Sequence, residues 1–320
     1  MSASRAVTVT EINDPTSVGE GFRELQMDAV LLHGQSLQAR RVMIQLPSST
    51  LVYHWTSQAL RTRTTVPHGR MAFATFGPKS TGTADGMAID PGHIYVASGS
   101  SEVCFVVAAN YEGITFLTPS EFLEAQLKAR GRNTDKFRFN GSQLVRSNGF
   151  SSQELHALRR RVVDTAVQRP EVFEDPQTKL AVEVELIDGL LAALGPADDG
   201  AARTKGYTHQ CYSELVKRAE EYALSHTDSQ IHVSDLCVAM AVSERTLENA
   251  FNEVMGMPPK SYLMRVRLHR VRQALRTAAP HATSVTREAM RWGFWHFGDF
   301  SRSYKKCFGE SPSKTLRQRG

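Results

Sequence analysis

Two segments near the C-terminus carry side chains whose types and spacing suit hydrogen bonding to the edges of DNA bases. Arginine matches the two acceptors of guanine and asparagine matches adenine, so a helix that carries them on one face can read sequence in the major groove. Lysines beside them would meet phosphates instead. The residues that we predict to face DNA are Arg245, Glu248, Asn249 and Asn252 in the first segment and His296, Phe297, Asp299, Arg302, Lys305 and Lys306 in the second, with Arg302 assigned to guanine and the two lysines to phosphates.

Apolar residues at helical spacing would hold these faces outward. The inward residues are Leu247, Ala250, Phe251 and Val254 in the first segment and Phe300, Tyr304 and Phe308 in the second. Spacings of three and four place each set on one side of a helix. Each segment is therefore predicted to be an amphipathic helix with its apolar side in a core.

The two segments belong to an internal repeat. Gly256-x-x-Pro259 recurs 53 residues later as Gly309-x-x-Pro312. In each copy a short helix (233–239 or 285–292), a tight turn (241–243 or 293–295) and a longer helix follow one another, which is the helix-turn-helix arrangement. Residues 260–276 hold six basic residues and no acidic one, and they predict a connecting helix that sets the distance between the two reading helices.

The charge of the chain is concentrated in the same region. Residues 207–320 contain 17 Lys and Arg against 11 Asp and Glu, a net charge of +6, within a whole-chain net charge of +5. The first 206 residues therefore carry about −1. Such a division fits a module that binds a polyanion attached to a nearly neutral sensor, because neutralising phosphates supplies most non-specific affinity for DNA.

The N-terminal half shows short β-like runs at 39–46, 50–55, 71–76 and 102–108, separated by turn residues. They predict a cupin-like barrel or a sandwich. Helices are expected at 151–168 and 176–194, and the apolar stripe of the second could pack on the β-rich domain or on a second copy of itself. The predicted fold is α+β, with a β-rich effector domain at 1–145, a helical connector and linker at 146–206, and an all-α DNA-binding domain at 207–320 whose two units span 233–255 and 285–308.

The N-terminal residues suggest two kinds of ligand site. Tyr53 and Trp55 are the candidates for an effector pocket, since aromatic side chains often line such sites. His54, His68 and His93 could instead bind a metal inside a barrel, which would make the chain a cupin-type metal enzyme fused to a DNA-binding domain. Their spacing matches no metal motif, so we expect no enzyme, no metal and no cofactor.

The cysteines and the hydropathy of the chain indicate the cellular compartment. The four cysteines are far apart and form no C-x-x-C pair, so reduced thiols are expected. The first residues lack the apolar run of a signal peptide, and no stretch is long and apolar enough for a membrane helix. A cytoplasmic protein with no membrane partner is predicted.

These residues also resemble a known family, the AraC/XylS regulators. The first unit matches in Asp235-Leu236, Ser243-Glu-Arg-Thr-Leu247, Phe251, Gly256-Met-Pro-Pro259-x-x-Tyr262 and Arg267-Leu268, and the second in Gly293-Phe-Trp-His-Phe-Gly-Asp-Phe-Ser-Arg-Ser-Tyr-Lys-Lys-Cys-Phe-Gly-Glu-Ser-Pro312. The resemblance covers roughly residues 210–320. Two positions depart from the family pattern: Glu288, where an aliphatic or small residue is usual, and Glu248, where a positive or neutral one is commoner.

The resemblance implies a seven-helix DNA-binding domain behind an N-terminal β-rich domain that binds an effector and often dimerises. It adds Gly298 and Ser301 to the contact positions, and the prediction also includes Ser243 and Thr246. The stretches Trp292-Gly-Phe-Trp-His296 and Pro312-Ser-x-x-Leu316 further resemble the branch that contains the ethanolamine-utilisation regulator, which implies a small amine or amino alcohol as effector. We therefore expect a bacterial activator with promoter or operator DNA and RNA polymerase as partners, and with a homodimer as a possible state.

Overall fold

The computed structural model describes residues 6–19, 27–33, 36–134, 137, 139, 141–147, 152–195, 207–226, 231–279 and 282–317, with the backbone alone described at 207–210. A β-rich N-terminal unit is followed by an all-helical C-terminal unit. The chain is thus an α+β protein, as predicted.

Within the described residues the strands form two antiparallel sheets. Sheet A has the spatial order β1 (Val7–Ile12), β3 (Ala39–Gln45), β4 (Thr50–Thr56), β11 (Tyr111–Pro119), β6 (Arg70–Phe76), β9 (His93–Ser98) and β12 (Ser142–Arg146). Sheet B has the order β2 (Met27–Leu31), β5 (Leu60–Thr65), β10 (Glu102–Val107), β7 (Gly82–Ala84) and β8 (Met87–Ala88).

Alternation along the strands gives the N-terminal unit two apolar cores. One core lies between the sheets and contains Val52 from sheet A and Val103 from sheet B. The other covers the opposite face of sheet A, where Phe73 and Phe116 are fully buried. Because successive side chains of a strand point to opposite faces, β4 contributes Val52 to the first core and Tyr53 to the second.

Helices α1 (Ser120–Ala129), α2 (Ser152–Gln168) and α3 (Pro176–Leu194) supply the other half of the core on sheet A. The predicted helices at 151–168 and 176–194 are confirmed. Within the connector predicted at 146–206, α2 and α3 share a core with the sheet, which is one of the two packings left open above. The apolar stripe of α3 divides, because Ile187 and Leu191 are buried there while Leu180 and Val184 remain 48% and 40% exposed.

The C-terminal unit consists of helices on two small cores. The described helices are α4 (Tyr207–Ser225), α5 (Val233–Met240), α6 (Glu244–Met255), α7 (Pro259–Thr277), α8 (Val285–Arg291), α9 (Phe297–Phe308) and α10 (Pro312–Arg317). Helix α7 joins both cores, with Tyr262 in the first and Val271 in the second. None of the described helices is both long and apolar enough to cross a bilayer.

The repeated glycines end the two reading helices. Gly256 follows α6 with φ +67° and Gly309 follows α9 with φ +73°, a left-handed conformation that favours glycine. The amide of each glycine donates to a carbonyl in the last turn of its helix. The repeat seen in the sequence is therefore a repeat of helix ends. The two glycines end α6 and α9 at equivalent positions of the two units.

Candidate DNA-binding surface and effector cavity

Helix α6 presents the first predicted reading face to solvent. Its inward residues Leu247, Ala250 and Phe251 are fully buried. The side chain of Ser243 accepts a hydrogen bond from the Thr246 amide over 3.1 Å, which caps the first turn. The residues that are exposed are Ser243, Arg245, Glu248, Asn249 and Asn252, whereas Thr246 is half-buried.

Helix α9 presents a second exposed face in the same way. Phe300 and Tyr304 are buried, and their rings contact each other with centroids 5.7 Å apart. The exposed residues are His296, Phe297, Gly298, Asp299, Ser301, Arg302, Lys305 and Lys306. His296 is the N-cap, one residue before the helix begins, and Arg302 forms an ion pair with Asp299 one turn away.

Trp295 belongs to the same surface and was missed from the sequence. Its side chain is 57% exposed beside Phe297, which is 42% exposed. The neighbouring Phe294 packs on Phe300 with ring centroids 5.0 Å apart. We assigned 293–295 only to the turn. The sequence does contain a signal for Trp295, because it directly follows Phe294, which already packs on the core.

Several basic residues of the connecting helix face the N-terminal unit. Arg272 is 8% exposed, and its Nη2 lies 2.6 Å from Oδ2 of Asp14. Burial alone would lower the pKa of Arg272, but Asp14 raises it well above its ordinary value. Arg276 donates to the hydroxyl of Thr16 over 2.8 Å. Helix α7 thus connects the two reading helices and also holds the β-rich unit.

Sheet B meets helix α4 through buried ion pairs. Glu220, 1% exposed, accepts from Nη2 of Arg63 over 2.8 Å and also pairs with Arg61, which is equally buried. The hydroxyl of Tyr262 donates to the other oxygen of Glu220 over 2.7 Å. Burial alone would raise the pKa of Glu220, but the two arginines hold it below its ordinary value. We call this outer surface of strands β2, β5 and β10 the docking face.

An apolar cavity of about 110 Å³ lies between the two sheets. His54 and Trp55 are among its lining residues, but the side chain of Trp55 packs against the core on the opposite face of sheet A. Tyr53, the other effector candidate, does not line the cavity: it lies on the opposite face of β4, where its hydroxyl accepts from Nη1 of Arg160 over 2.7 Å. The prediction for Tyr53 is corrected by strand alternation, which directs His54 rather than Tyr53 toward the cavity.

The histidines weighed as metal ligands are not brought together. His54 lines the cavity, and His68 lies near Ser100 in a turn. His93 begins β9 and lies beside Asp90 of the preceding turn. Among the described residues no group of three or more His, Cys, Asp or Glu is placed to hold a metal ion. The geometry therefore gives no support to the alternative of a metal enzyme.

Glu288, one of the departures from the family pattern, is accommodated locally. Its side chain is 6% exposed and accepts from the hydroxyl of Thr283 over 2.5 Å. Arg291 approaches its other oxygen at 3.9 Å. A carboxylate thus replaces an apolar residue here by gaining a hydroxyl partner.

A model described as a helix-turn-helix domain matches residues 236–318. The probable thc operon regulatory protein of Rhodococcus erythropolis is 36% identical over 103 residues, which span 32% of this chain and 31% of that protein. The match thus covers about a third of that relative's length. The XylDLEGF operon transcriptional activator 2 of Pseudomonas putida is 31% identical over 114 residues, which span 35% of this chain and 70% of that protein.

Solved structures include a similar chain, a probable AraC family transcriptional regulator from Rhodopseudomonas palustris. It is 34% identical, and the match covers 33% of this chain and 99% of that chain with a TM-score of 0.31. The Pseudomonas putida protein meets this chain over more than two thirds of its own length at 31% identity, which identifies the family. The chain belongs to the AraC/XylS family of helix-turn-helix transcriptional regulators.

Proposed function

We propose that the chain acts in the cytoplasm as an effector-controlled activator of transcription, which reads promoter or operator DNA with both helix-turn-helix units. The activator role is proposed from the likeness to the Pseudomonas putida protein, whose name is that of an operon activator. RNA polymerase is the partner that such a role requires. The domain division predicted above, with DNA binding at 207–320, is part of the same proposal.

Two exposed faces on one rigid support favour reading by both helices. Helix α7 has 19 residues, which correspond to a length of about 28 Å. Successive turns of the major groove are about 34 Å apart, so a helix of this length suits two reading helices that enter adjacent grooves. Arg245 and Arg302 then supply a guanine donor to each half of one asymmetric site.

Effector control is supported by one observation above the others, the alternation along β5. Thr62 and Thr64 line the cavity on one face of the strand. Arg61 and Arg63, which alternate with them, form ion pairs with Glu220 of helix α4 on the other face. The same strand thus lines the cavity with one face and contacts the DNA-binding unit with the other. A ligand that shifts β5 would act directly on the ion pairs that dock the two units.

We propose that the docked arrangement is the form with lower affinity for DNA. Docking pairs Arg272 and Arg276 with Asp14, so less of the basic charge of α7 is available to phosphates. A groove of about 740 Å³ between the units is lined by Glu102 of sheet B and by Thr246 of the first reading helix. Glu102 pairs there with Lys217 of α4, so docking engages a further basic residue of the DNA-binding unit.

The test removes the carboxylate of helix α4 that pairs with the docking face. Glu220→Gln in the full chain should raise the affinity for DNA several-fold, because Arg61 and Arg63 lose the carboxylate they share. Glu221→Gln is the matched control, since this neighbour is about half exposed and lies 3.8 Å from Arg63. Fluorescence anisotropy on one operator fragment measures both. Equal affinities for the two variants and the wild type would contradict control through docking.

A homodimer is proposed on the exposed part of α3. Leu180 and Val184 are one turn apart and point to solvent. Apolar side chains at this spacing suit a helix pair, and two copies would bind repeated sites more tightly. Sedimentation of the wild type and of Leu180→Glu should show a dimer that the variant loses, whereas a monomeric wild type would contradict this part of the proposal.

A further inference from the structure

The chemistry that lines the cavity indicates what kind of effector it accepts. This inference rests on the proposed function of the N-terminal unit as a sensor. We propose that the cavity between the two sheets binds a compact, largely apolar and uncharged molecule with one hydrogen-bonding group, and not an amine or amino alcohol. The ethanolamine-type effector implied by the sequence resemblance is thereby replaced.

The absence of a counter-ion argues against a cationic ligand. Among the described residues that line the cavity there is no aspartate or glutamate, and the guanidinium of Arg40 is already paired with Glu11. A buried ammonium group without a carboxylate partner keeps an uncompensated desolvation cost. The cavity already disfavours the protonated form of His54. Burial and, to a smaller extent, the charge of Arg41, which lies opposite His54 on β3, together lower the pKa of His54 to about 3.

The size and surface of the cavity favour a small ring or branched chain. Its walls are mainly aliphatic and aromatic, with Tyr95, Phe105 and Tyr111 among them. The volume of about 110 Å³ is of the order of cavities that hold a benzene-sized molecule. Tyr95 presents its ring, because its hydroxyl is already engaged as a donor to Asp85 over 2.6 Å.

The wall contains a polar group that a ligand can bind. Thr64 lines the cavity, and its hydroxyl is buried and has no hydrogen-bond partner among the described residues. The hydroxyl of Thr56, by contrast, donates to the carbonyl of Gln58 over 3.0 Å. A buried hydroxyl without a partner is costly, so a ligand that hydrogen-bonds to Thr64 gains affinity. Thr64 lies next to Arg63, which places the bound group at the strand that docks helix α4.

Four probes test the proposal on the full chain at pH 7. Benzyl alcohol is apolar, neutral and has one hydroxyl; toluene lacks the hydroxyl; benzylamine and ethanolamine are cations. Calorimetry should show that benzyl alcohol binds at least about tenfold more tightly than benzylamine, and that ethanolamine does not bind. Benzylamine or ethanolamine binding as tightly as benzyl alcohol would overturn the proposal, as would no binding by any probe.

Two isosteric variants locate the binding. Thr64→Val should weaken the binding of benzyl alcohol by roughly tenfold and leave the binding of toluene unchanged, because only the alcohol can hydrogen-bond to the hydroxyl of Thr64. Thr83→Val is the matched control, since Thr83 also has a buried hydroxyl without a partner among the described residues but does not line the cavity. Identical effects of both variants would overturn the proposal. Should Thr64→Val fail to fold, Ala97→Leu, which fills the cavity from β9, should abolish binding of both neutral probes.

DNA binding separates this proposal from the proposed function. If benzyl alcohol binds through Thr64 and leaves the DNA affinity of the full chain unchanged, effector control fails and the ligand class stands. If ethanolamine changes the DNA affinity and Ala97→Leu abolishes that change, the ligand class is wrong and effector control stands.

Discussion

The backbone N–H of Leu31 donates a hydrogen bond to Nε2 of His269 over 3.1 Å, across the boundary between the two units. The carbonyl of the same residue accepts from Nη1 of Arg265, also over 3.1 Å. Leu31 ends β2, the outermost strand of sheet B. Side chains of α7 therefore satisfy backbone groups that another strand would otherwise pair, and the DNA-binding unit completes the edge of the sheet.

This hydrogen bond predicts a pH dependence of stability. Nε2 must be unprotonated to accept, and burial lowers the pKa of His269 from 6.5 to about 3. Between these values the unfolded chain binds more protons than the folded one, so the free energy of unfolding decreases as the pH falls below 6.5. His269→Gln keeps an acceptor but does not titrate. We expect it to reduce the slope by about 1.4 kcal/mol per pH unit between pH 6 and 4.

Urea unfolding of the full chain at several pH values measures this slope. The control is His68→Gln, because His68 is exposed. That variant should keep the slope of the wild type. If His269→Gln also kept it, the buried, neutral state of His269 would be disproved.

Base reading and phosphate binding should separate within α9. Arg302→Ala should lose roughly 1 to 3 kcal/mol at one or two base pairs, because an arginine–guanine contact is specific. Lys305→Ala should weaken all sequences alike and reduce the salt dependence by about one unit. Binding to a library of single-base variants measures both. A uniform loss for Arg302→Ala would show that it does not read a base.

Trp295 should contribute through apolar contact with the DNA. Its exposed ring stands at the start of α9, where a thymine methyl group is a suitable partner. Trp295→Ala should lower affinity several-fold at sites that contain this thymine. Replacing the thymine by deoxyuridine should weaken the wild type but not the variant. Equal sensitivity of both proteins to the replacement would exclude the contact. The half-buried Phe294 is unsuited to serve as a control because it packs against the core.

The sequence was informative wherever a local pattern decides the structure. The apolar spacing from Leu247 to Val254 fixes which side of α6 is buried, so the outward residues could be predicted. Gly256 and Gly309 mark helix ends because few other residues adopt their backbone conformation. The two helix-turn-helix units were therefore predictable almost to the residue, with small shifts at helix ends such as His296.

Contacts between distant segments were not predictable in the same way. Strand β5 has the sequence Leu-Arg-Thr-Arg-Thr-Thr, which resembles a solvent-exposed loop. Arg61 is buried and Arg63 is half-buried, and both pair with Glu220, which lies 157 residues after Arg63. A single sequence contains no signal for such a pairing. The face of β4 that meets the cavity also depends on the second sheet, which is why Tyr53 was chosen in place of His54.

The most direct test of the central claim, reading by both helices, is selection of binding sites from random DNA by the full chain. The wild type should select one asymmetric site with two halves about one helical turn apart, around 10 base pairs. Asn249→Ala should relax the sequence preference in one half only, and Arg302→Ala in the other half only. Selection of no defined sequence by the wild type, or relaxation of the same positions by both variants, would contradict the claim.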